Sequence, residues 1–425
     1  MTTLENDLHD LPAGIMGVWH WASQFQIFCG LDGSDSTDPD YAFPSLLAIG
    51  ARRSFELDEK KSLNELDAFL TDSNYGYLVQ VGYGLKDRLE EMHSRHDDPI
   101  GFPTLYVFEP EILIRFTENG KILIQGDDPL AVWQQLMEHD TTSSDVPMPS
   151  IDFQARCSKE VYLEQLNRVK AHLQRGDCYE LNYCQEFFAE NVRIDPFHVY
   201  VQMNPIVRAP FSCLYRNGSR WLIGGSPERF LKKDGDRLES QPMKGTAPRE
   251  KDPVVDTSNA EALRQSEKDR SENIMVVDLV RNDLSRIAQR GSVSVDSLCE
   301  LRSFPQVHQL VSTVRARIRS DISFREILSA CFPMGSMTGA PKVKVMELTD
   351  RYELSARGLY SGSIGFIDSD GNFDLNVVIR GLQYHADSGY LSYHVGSGIT
   401  IYSDPEKEWE ECRWKSAGIR RVFGS

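Results

Sequence analysis

A helical hydrophobic pattern runs through residues 158–173 of the chain. A glycine at position 176 is typical of a residue that ends a helix, because glycine adopts the left-handed backbone conformation without strain. The pattern therefore predicts an amphipathic helix that packs one side against a core. The apolar residues that share this face are Tyr162, Leu166, Val169 and Leu173.

Two further helices are predicted nearer the carboxyl end of the chain. A long periodic segment covers roughly residues 259–289. The last helix starts after Asp404, a residue type that favours the N-cap, and has Pro405 in its first helical position.

Strand-like runs fill much of the remaining sequence. They include CYELNYCQEFFAE, RWLIGG, SGSIGFID, NFDLNVVIRGLQYHA and GYLSYHVGSGITIY, and the tripeptide DGD at residues 234–236 is a hairpin signal. Because the strands follow one another through turn-length connections and do not alternate strictly with helices, the order favours antiparallel sheets flanked by helices. The predicted fold class is α+β.

The polar, proline-containing stretch HDTTSSDVPMPS, residues 139–150, predicts a linker or a long loop. We therefore divide the chain into an N-terminal region, residues 1–150, and a second region, residues 151–425. Strand-like runs such as YGYLVQVGYGL occur before the linker, and the patterns become denser after it.

Composition and charge narrow the classes of function. The formal net charge of −17 argues against a nucleic-acid partner, since such proteins present a basic surface. No apolar run approaches the length of a bilayer span, and the acidic N-terminus lacks a signal-peptide pattern, so we expect a cytoplasmic protein without a membrane partner. The eight cysteines form no CxxC pair and are expected to be reduced thiols. Because of the negative net charge, the protein would repel an anionic substrate, so such a substrate would need cations close to its binding site.

Two pairs of acidic residues are spaced three apart within predicted helices. Asp269 and Glu272 form the first pair, and Glu408 and Glu411 form the second. Residues at that spacing share a helix face, and four carboxylates from two facing helices would suit Mg²⁺. In so acidic a chain, the alternative is that both pairs are solvated faces.

Two loops rich in small residues are candidate anion sites. GSMTGAPK contains Ser336 and leads to a helix predicted to begin at Pro341, and VGSGIT contains Gly396 and Gly398. Arg380 and Lys415 are available as local positive charges for a carboxylate. Ordinary glycine turns and solvated cations are the alternative interpretation.

Glu228 and Lys244 flank the predicted hairpin and would face one pocket if its strands fold back on each other. A lysine is a nucleophile only when it is neutral, and burial lowers its pKa. A buried glutamate has a raised pKa and is able to donate a proton. The pair would then act as nucleophile and general acid, whereas a surface salt bridge is the alternative.

Ten segments in order resemble the chorismate-utilising enzymes, which include the anthranilate, aminodeoxychorismate, isochorismate and salicylate synthases. The resemblance covers roughly residues 158–423 and is looser before them. A set of ordered motifs is far more specific than any single motif. The segments are GDCYELNYCQEF, GGSPERF, QPMKGTAPR, KDRSENIMVVDLVRNDLSRI, VHQLVSTV, MGSMTGAPKVKVMEL, YSGSIGFI, VVIRG, VGSGIT and SDPEKEWEECRWKS.

The resemblance implies a fold of two large, mainly antiparallel sheets packed face to face with helices outside. The N-terminal region would belong to the same sandwich, and residues 151–425 would bind chorismate. By position, Glu272 and Glu411 would coordinate Mg²⁺ and Asp269 and Glu408 would hold its waters.

By position too, the resemblance implies contacts with the substrate. The carboxylate end of chorismate would contact Ser336, Lys415 and Gly398, which lies in the same loop as Gly396. Tyr360 and Arg380 would bind the enolpyruvyl side chain, and His308 would lie beside the ring.

Lys244 distinguishes the branches of this family. The anthranilate, isochorismate and salicylate synthases carry alanine at the matching position, whereas the aminodeoxychorismate synthases carry lysine. The resemblance implies that Lys244 attacks C2 of chorismate, that Glu228 protonates the departing 4-hydroxyl, and that ammonia then displaces the lysine at C4. The alternatives are an anthranilate synthase component I and a non-catalytic regulatory subunit of the same fold.

Glu180 departs from the family pattern. The matching position usually holds glutamine in the amine-using enzymes and a water-activating lysine in the isochorismate and salicylate group. A glutamate argues against water as the nucleophile, and we hypothesise that it captures ammonium and takes its proton. The sequence has no glutaminase-like nucleophile segment, so ammonia would come from solution or from a separate glutamine amidotransferase subunit.

Overall fold

The computed structural model describes residues 2–33, 36, 38–139, 148–305 and 307–424. Most of the predicted linker, residues 140–147, lies outside the described residues, so the linker and the division at residue 150 stay predictions. Within the described residues, all strand pairings are antiparallel.

The strands in chain order are β1 (Thr2–Asp7), β2 (Ile27–Asp32), β3 (Leu46–Ile49), β4 (Arg53–Glu56), β5 (Tyr77–Val81), β6 (Leu105–Glu109), β7 (Ile112–Phe116), β8 (Lys121–Gly126), β9 (Gln154–Ala155), β10 (Glu180–Ala189), β11 (Phe211–Asn217), β12 (Arg220–Ser226), β13 (Arg229–Asp234), β14 (Arg237–Gln241), β15 (Met243–Pro248), β16 (Ser294–Ser303), β17 (Val307–Arg317), β18 (Gly339–Ala340), β19 (Ser363–Ile367), β20 (Phe373–Asn376), β21 (Gly381–His385) and β22 (Tyr390–Ile399).

The helices are α1 (Gly14–Ser23), α2 (Asn64–Phe69), α3 (Lys86–Leu89), α4 (Pro129–Glu138), α5 (Lys159–Arg175), α6 (Pro196–Val207), α7 (Pro253–Gln265), α8 (Glu267–Ser285), α9 (Phe324–Cys331), α10 (Lys342–Tyr352) and α11 (Pro405–Val422).

Two large sheets organise these strands. The first has twelve strands in the order β1-β8-β7-β3-β2-β11-β12-β21-β22-β10-β18, with β9 beside β10. The second has ten strands in the order β15-β17-β14-β13-β20-β19-β5-β6-β4, with β16 beside β17. Strands from the first 150 residues join both sheets.

The two sheets pack face to face. One core cluster combines side chains of the first sheet, such as Leu31 and Phe211, with side chains of the second, such as Leu78 and Phe366. Two other clusters fill the outer faces, where α5, α6 and α11 cover the first sheet and α8 and α9 cover the second. This arrangement confirms the predicted fold class, because each sheet buries both faces only when helices cover its outside.

Local sequence accounts for the helix boundaries. In α5 the Ser158 side chain accepts a hydrogen bond from the Val161 amide, and Gly176 closes the helix with φ +81°. The side chain of Asp404 caps α11 by accepting from the Glu406 amide. Both predictions are confirmed, and they follow from the backbone groups that helix ends leave unpaired.

The long helix predicted over residues 259–289 is instead two helices, α7 and α8. Ser266 has an extended backbone, and its side chain accepts a hydrogen bond from the Asp269 amide. A serine at this position satisfies an amide at the start of a new helix, which the hydrophobic periodicity alone does not reveal. The break places Asp269 and Glu272 in the first turns of α8.

The eight cysteines are free, as expected, and all of them are buried. Among the helices described above, none is long and apolar enough to cross a membrane.

Candidate active site

A cavity of about 840 Å³ lies between side chains from both sheets and from helices α8 and α11. Its volume falls within the range of small-molecule sites. Most of the residues singled out in the sequence line it: Glu228, Lys244, Asp269, Glu272, Ser336, Tyr360, Arg380, Gly396, Gly398, Glu411 and Lys415. Distant parts of the chain thus converge on one pocket.

The predicted hairpin brings Glu228 and Lys244 to this cavity. Strands β13 and β14 pair across the turn, with Asp234 opposite Arg237. The chain then continues into β15, where Lys244 pairs with Leu310 of β17. Lys244, on an edge strand of the second sheet, and Glu228, just before the interior strand β13, therefore line the same space.

Glu228 is buried at the cavity wall, with 4% of its surface exposed. Burial raises the pKa of Glu228 to about 7, while nearby Ser336 and Lys244 oppose the rise. The physical cause is desolvation, which penalises the ionised carboxylate. At neutral pH a large fraction of Glu228 therefore carries a proton, as a general acid requires.

Lys244 forms an ion pair with Glu180, whose Oε1 lies 2.7 Å from Nζ. Glu180 does not line the cavity but lies directly behind Lys244, and its other oxygen, Oε2, is buried without a hydrogen-bond partner. A Cβ atom added at Gly398 would lie 2.8 Å from Lys244 Nζ and 3.0 Å from Glu180 Oε1. The glycine at 398 therefore makes room for this pair.

The charge state of Lys244 differs from the expectation. Burial lowers the pKa of Lys244, but the neighbouring carboxylates of Glu180 and Glu272 more than offset burial, so that its pKa is raised above the ordinary value. Before substrate binds, the side chain is an ammonium. The prediction considered desolvation alone, and the carboxylates that reverse its effect lie far away in sequence.

The two acidic pairs meet across α8 and α11. Lys268 reaches both helices, since its Nζ lies 3.8 Å from Glu272 Oε1 and 3.5 Å from Glu408 Oε1. Glu411 forms a 2.7 Å ion pair with Lys415, and Asp269 accepts a hydrogen bond from the Ser266 hydroxyl. The carboxylates therefore lie close together, and three of them, Asp269, Glu408 and Glu411, are turned toward a protein donor.

The donor chemistry of this site fits a hard divalent cation. Glu272 Oε1 is buried without a hydrogen-bond partner, and burial raises the pKa of Glu272 to about 7, although Lys244 and Lys268 oppose the rise. Within the described residues, no three acidic, histidine or cysteine side chains are already arranged as a metal-binding group. Mg²⁺ would consequently require the carboxylates to turn away from the lysines.

Arg380 adds a positive charge to the cavity wall. Arg380 donates a hydrogen bond to the Lys415 carbonyl oxygen over 3.3 Å, and burial lowers its pKa. Among the described residues, no carboxylate lies within 4.0 Å of its guanidinium. The Tyr360 ring stacks on His394 nearby, with ring centroids 5.2 Å apart. A guanidinium without an acidic partner is suited to a substrate carboxylate.

Lys415 and Ser336 complete the polar lining. Lys415 Nζ donates to the Gly396 carbonyl oxygen over 2.8 Å in addition to its ion pair with Glu411. The Ser336 hydroxyl is buried in the turn Gly335–Met337 next to Glu228, whose ionised carboxylate it stabilises. A hydroxyl at the wall of a cavity is able to turn toward a ligand.

His308 lies outside the cavity lining, unlike the expectation that it would lie beside a bound ring. Its neighbours Val307 and Gln309 line the cavity, and the alternation of side chains along β17 directs His308 to the other face. There its Nδ1 lies 2.8 Å from Ser303 Oγ and its Nε2 lies 3.1 Å from Asp256 Oδ1. Glu408 also lies behind the cavity lining, where it accepts a hydrogen bond from Ser397.

Lys268 and His394 are among the lining residues that were not singled out in the sequence. Lys268 precedes Glu272 by four residues, so its position on the acidic face of α8 was readable from helical spacing. His394 precedes Gly396 by two residues in β22, so strand alternation places it on the same face. Both signals existed, but neither residue type by itself indicated a function.

The family model of the chorismate binding enzymes matches residues 35–421 of the chain. The chain belongs to the chorismate-binding enzyme family. This assignment agrees with the resemblance found in the motifs.

Relatives of this chorismate-binding enzyme extend the assignment. It is 37% identical to aminodeoxychorismate synthase component 1 of Klebsiella aerogenes over 338 residues, 79% of this chain and 74% of the relative. It is 36% identical to the protein of the same name from Escherichia coli over 340 residues, with the same shares covered.

A solved structure supports the fold. Anthranilate synthase component I from Streptococcus pneumoniae superposes with a TM-score of 0.80 at 24% sequence identity, covering 89% of this chain and 92% of that one. At this identity the likeness concerns the sandwich of two sheets and not the reaction.

Proposed function

We propose that this chain is component 1 of an aminodeoxychorismate synthase, which converts chorismate and ammonia into 4-amino-4-deoxychorismate for 4-aminobenzoate and folate synthesis. The observation that carries the proposal is Lys244, which lines a cavity together with Glu228, Asp269, Glu272 and Glu411. The names of the relatives from Klebsiella aerogenes and Escherichia coli support it.

Two buried carboxylates have different roles in this proposal. Glu228 holds a proton near neutral pH, because burial raises its pKa to about 7. Glu180 is ion-paired with the Lys244 ammonium, 2.7 Å away, and is the acceptor in contact with its proton. Glu228 is therefore the general acid, and Glu180 is placed to take the proton that Lys244 must lose before it attacks.

The first displacement attaches Lys244 to the ring of chorismate. Lys244 transfers a proton to Glu180, and the neutral amine forms a bond from Nζ to C2 of chorismate. The electrons of the ring double bonds shift toward C4, the bond from C4 to oxygen breaks, and the hydroxide leaves as water with the proton of Glu228. The covalent step divides one difficult displacement into two easier ones.

The second displacement reverses the first. Ammonia forms a bond to C4, the ring electrons shift back, and the bond from C2 to Nζ breaks, which releases the lysine as a neutral amine. The new C4 ammonium gives a proton to Glu228, and Glu180 returns the stored proton to Lys244. The sum is chorismate plus ammonia to product plus water. The hypothesis that Glu180 also captures ammonium is compatible with its unpaired Oε2.

The remaining residues orient the substrate. Mg²⁺ held by Glu272 and Glu411, with Asp269 and Glu408 around it, would supply positive charge for the ring carboxylate. Ser336, Lys415 and the small loop of Gly396 and Gly398 would hold that same end. Arg380, which lacks an acidic partner, and Tyr360 would bind the enolpyruvyl carboxylate. Local cations thereby offset the repulsion between a dianion and a chain of charge −17.

Ammonia would come from a separate glutamine amidotransferase or from solution. The relatives bear the name component 1, which supports a partner component here. The proposed chemistry itself requires only ammonia, so the reaction is testable with an ammonium salt and the single chain.

The deciding experiment combines the purified chain with chorismate, Mg²⁺ and ammonium and identifies the products by mass spectrometry. We expect 4-amino-4-deoxychorismate, with no pyruvate released. Direct formation of anthranilate with pyruvate would make the chain an anthranilate synthase component. Binding of chorismate without any product would favour a regulatory subunit. With ammonia omitted, intact-protein mass spectrometry should detect a chorismate-derived adduct on Lys244.

A further inference from the structure

Lys268 is the cation between the two acidic helices. It lies in the first turn of α8, and its Nζ is 3.8 Å from Glu272 Oε1 on the same helix and 3.5 Å from Glu408 Oε1 on α11. Among the described residues, it is the one lysine or arginine within 4.0 Å of either carboxylate. One side chain therefore supplies positive charge to two carboxylates that are contributed by separate helices.

The two carboxylates are much more buried than the lysine that faces them. The exposed fraction of the side chain is 10% for Glu272 and 2% for Glu408, against 48% for Lys268. Buried carboxylates of like charge destabilise the fold unless a cation lies close to them. A cation must consequently lie between Glu272 and Glu408 whenever both carboxylates are ionised.

The contacts of Lys268 are longer than those of Lys244 and Lys415, two other lysines that line the cavity. Lys244 lies 2.7 Å from Glu180, and Lys415 lies 2.7 Å from Glu411. Charge-assisted hydrogen bonds are strongest near that shorter distance. At 3.5 and 3.8 Å, Lys268 supplies charge without a tight hydrogen bond, and its half-exposed stem leaves it room to move into solvent.

We propose that Lys268 is an internal counter-ion of the candidate metal site, which neutralises Glu272 and Glu408 while no divalent cation is bound and withdraws when one binds. The inference rests on the proposed function for the identity of the metal. It explains why the carboxylates face lysines in this structure instead of one another. It also means that Mg²⁺ binds in competition with a charge of the protein itself.

The test is a calorimetric titration of Mg²⁺ into the full chain without chorismate, so that no step depends on turnover. In Lys268→Met the competing charge is gone, and we expect Mg²⁺ to bind about tenfold more tightly, since the lost pair is partly exposed and partly screened. The metal-free variant should melt at a lower temperature than wild type, and Mg²⁺ should restore that loss. Lys268→Arg keeps the charge and should bind Mg²⁺ much as wild type does.

Lys344→Met is the matched control, because Lys344 forms a 2.8 Å pair with Glu347 on the exposed side of α10. It should leave the affinity for Mg²⁺ unchanged. Weaker or unchanged Mg²⁺ binding in Lys268→Met would overturn the counter-ion role. A Lys268→Met chain that folds only when Mg²⁺ is present would support it, and Lys268→Gln replaces that variant if it does not fold under either condition.

The outcome is separable from that of the proposed function. Tighter Mg²⁺ binding by Lys268→Met in a chain that makes no aminodeoxychorismate would leave this inference standing and reject the proposed reaction. Formation of aminodeoxychorismate by a wild-type chain that does not bind Mg²⁺ would reject the counter-ion role and leave the lysine chemistry standing.

Discussion

Two buried ion pairs lie close together along strand β10, and they differ in how completely their polar atoms are satisfied. Arg357 donates five hydrogen bonds, two to Glu353 and three to Met337, Asn182 and Ser361. Lys244 has one ion-pair contact, with Glu180. The first pair has no unused donor contact to offer a ligand, whereas the second faces a cavity.

The comparison shows how a structural charge differs from a reactive one. Glu353 also accepts a hydrogen bond from the Cys184 amide, while Glu180 Oε2 is buried without a partner. A fully bonded pair rigidifies the fold, because breaking it leaves an uncompensated buried charge. A pair with unused capacity is free to exchange a proton or a partner, as catalysis at Lys244 would require.

The largest expected effect comes from removing the reactive lysine. Lys244→Met should lower the rate of aminodeoxychorismate formation by at least about 10³-fold, because a positioned covalent nucleophile is lost. It should also abolish the protein adduct seen without ammonia. Steady-state product assays and intact-protein mass spectrometry check both results. Near-normal turnover in this variant would remove Lys244 from the mechanism.

Replacing the cation of the fully hydrogen-bonded pair, Arg357 and Glu353, should lower the stability of the fold and not the activity. Arg357→Met leaves Glu353 buried and unpaired, which we expect to lower the free energy of unfolding by about 3–5 kcal/mol. Denaturant titration measures this loss. Arg281→Met serves as its control, since Arg281 and Asp278 form an exposed pair at 2.7 Å whose loss should cost less than about 1 kcal/mol. Equal losses in the two variants would contradict the contrast between the pairs.

Glu228 adds a pH dependence to the reactive region. The protonated carboxyl donates to the leaving hydroxyl, so with a pKa of about 7 the rate of adduct formation should decline as the pH rises above 7. Glu228→Gln should be slower by ~10²-fold or more and should lack this decline. A pH profile of single-turnover adduct formation tests the assignment, and an identical decline in the variant would assign it to another group.

The stability of the fold should respond to Glu228 with the opposite sign from an ordinary ion-paired carboxylate. Its pKa is raised from 4.5 to about 7 in the folded chain, so the folded state binds the extra proton between those values. The contribution of Glu228 to the free energy of unfolding is therefore fully present below pH 4.5. It is lost progressively as the pH rises to 7, by at most about 3 kcal/mol. Glu228→Gln should remove that component of the pH dependence.

The smallest expected effect separates two roles for Glu180. If Glu180 takes the proton of Lys244, Glu180→Gln should slow adduct formation without ammonia by about 10- to 100-fold. If it serves ammonia alone, the adduct should form at the normal rate and react slowly with added ammonium. Rapid-quench mass spectrometry resolves the two steps. Faster adduct formation would mean that Glu180 only holds the lysine as an ammonium.

The sequence alone determined which residues were candidates for the site and in what order the helices and strands were expected. The spacing of Asp269, Glu272, Glu408 and Glu411 placed each pair on a helix face, and the hairpin signal at residues 234–236 brought Glu228 and Lys244 toward one space. Caps such as Ser158 and Asp404 marked helix starts through local hydrogen bonding. These are short-range properties, and so they are readable from neighbouring residues.

Only the tertiary structure decided the charge states and the orientation of the side chains. Lys244 is an ammonium because the fold brings the carboxylates of Glu180 and Glu272 close to it, and these raise its pKa. Glu228 holds its proton because the fold buries it. His308 faces away from the cavity because of its register in β17. Lys268 contacts Glu408, which is 140 residues away in sequence. Desolvation and Coulomb energy depend on burial and distance, which no local pattern specifies.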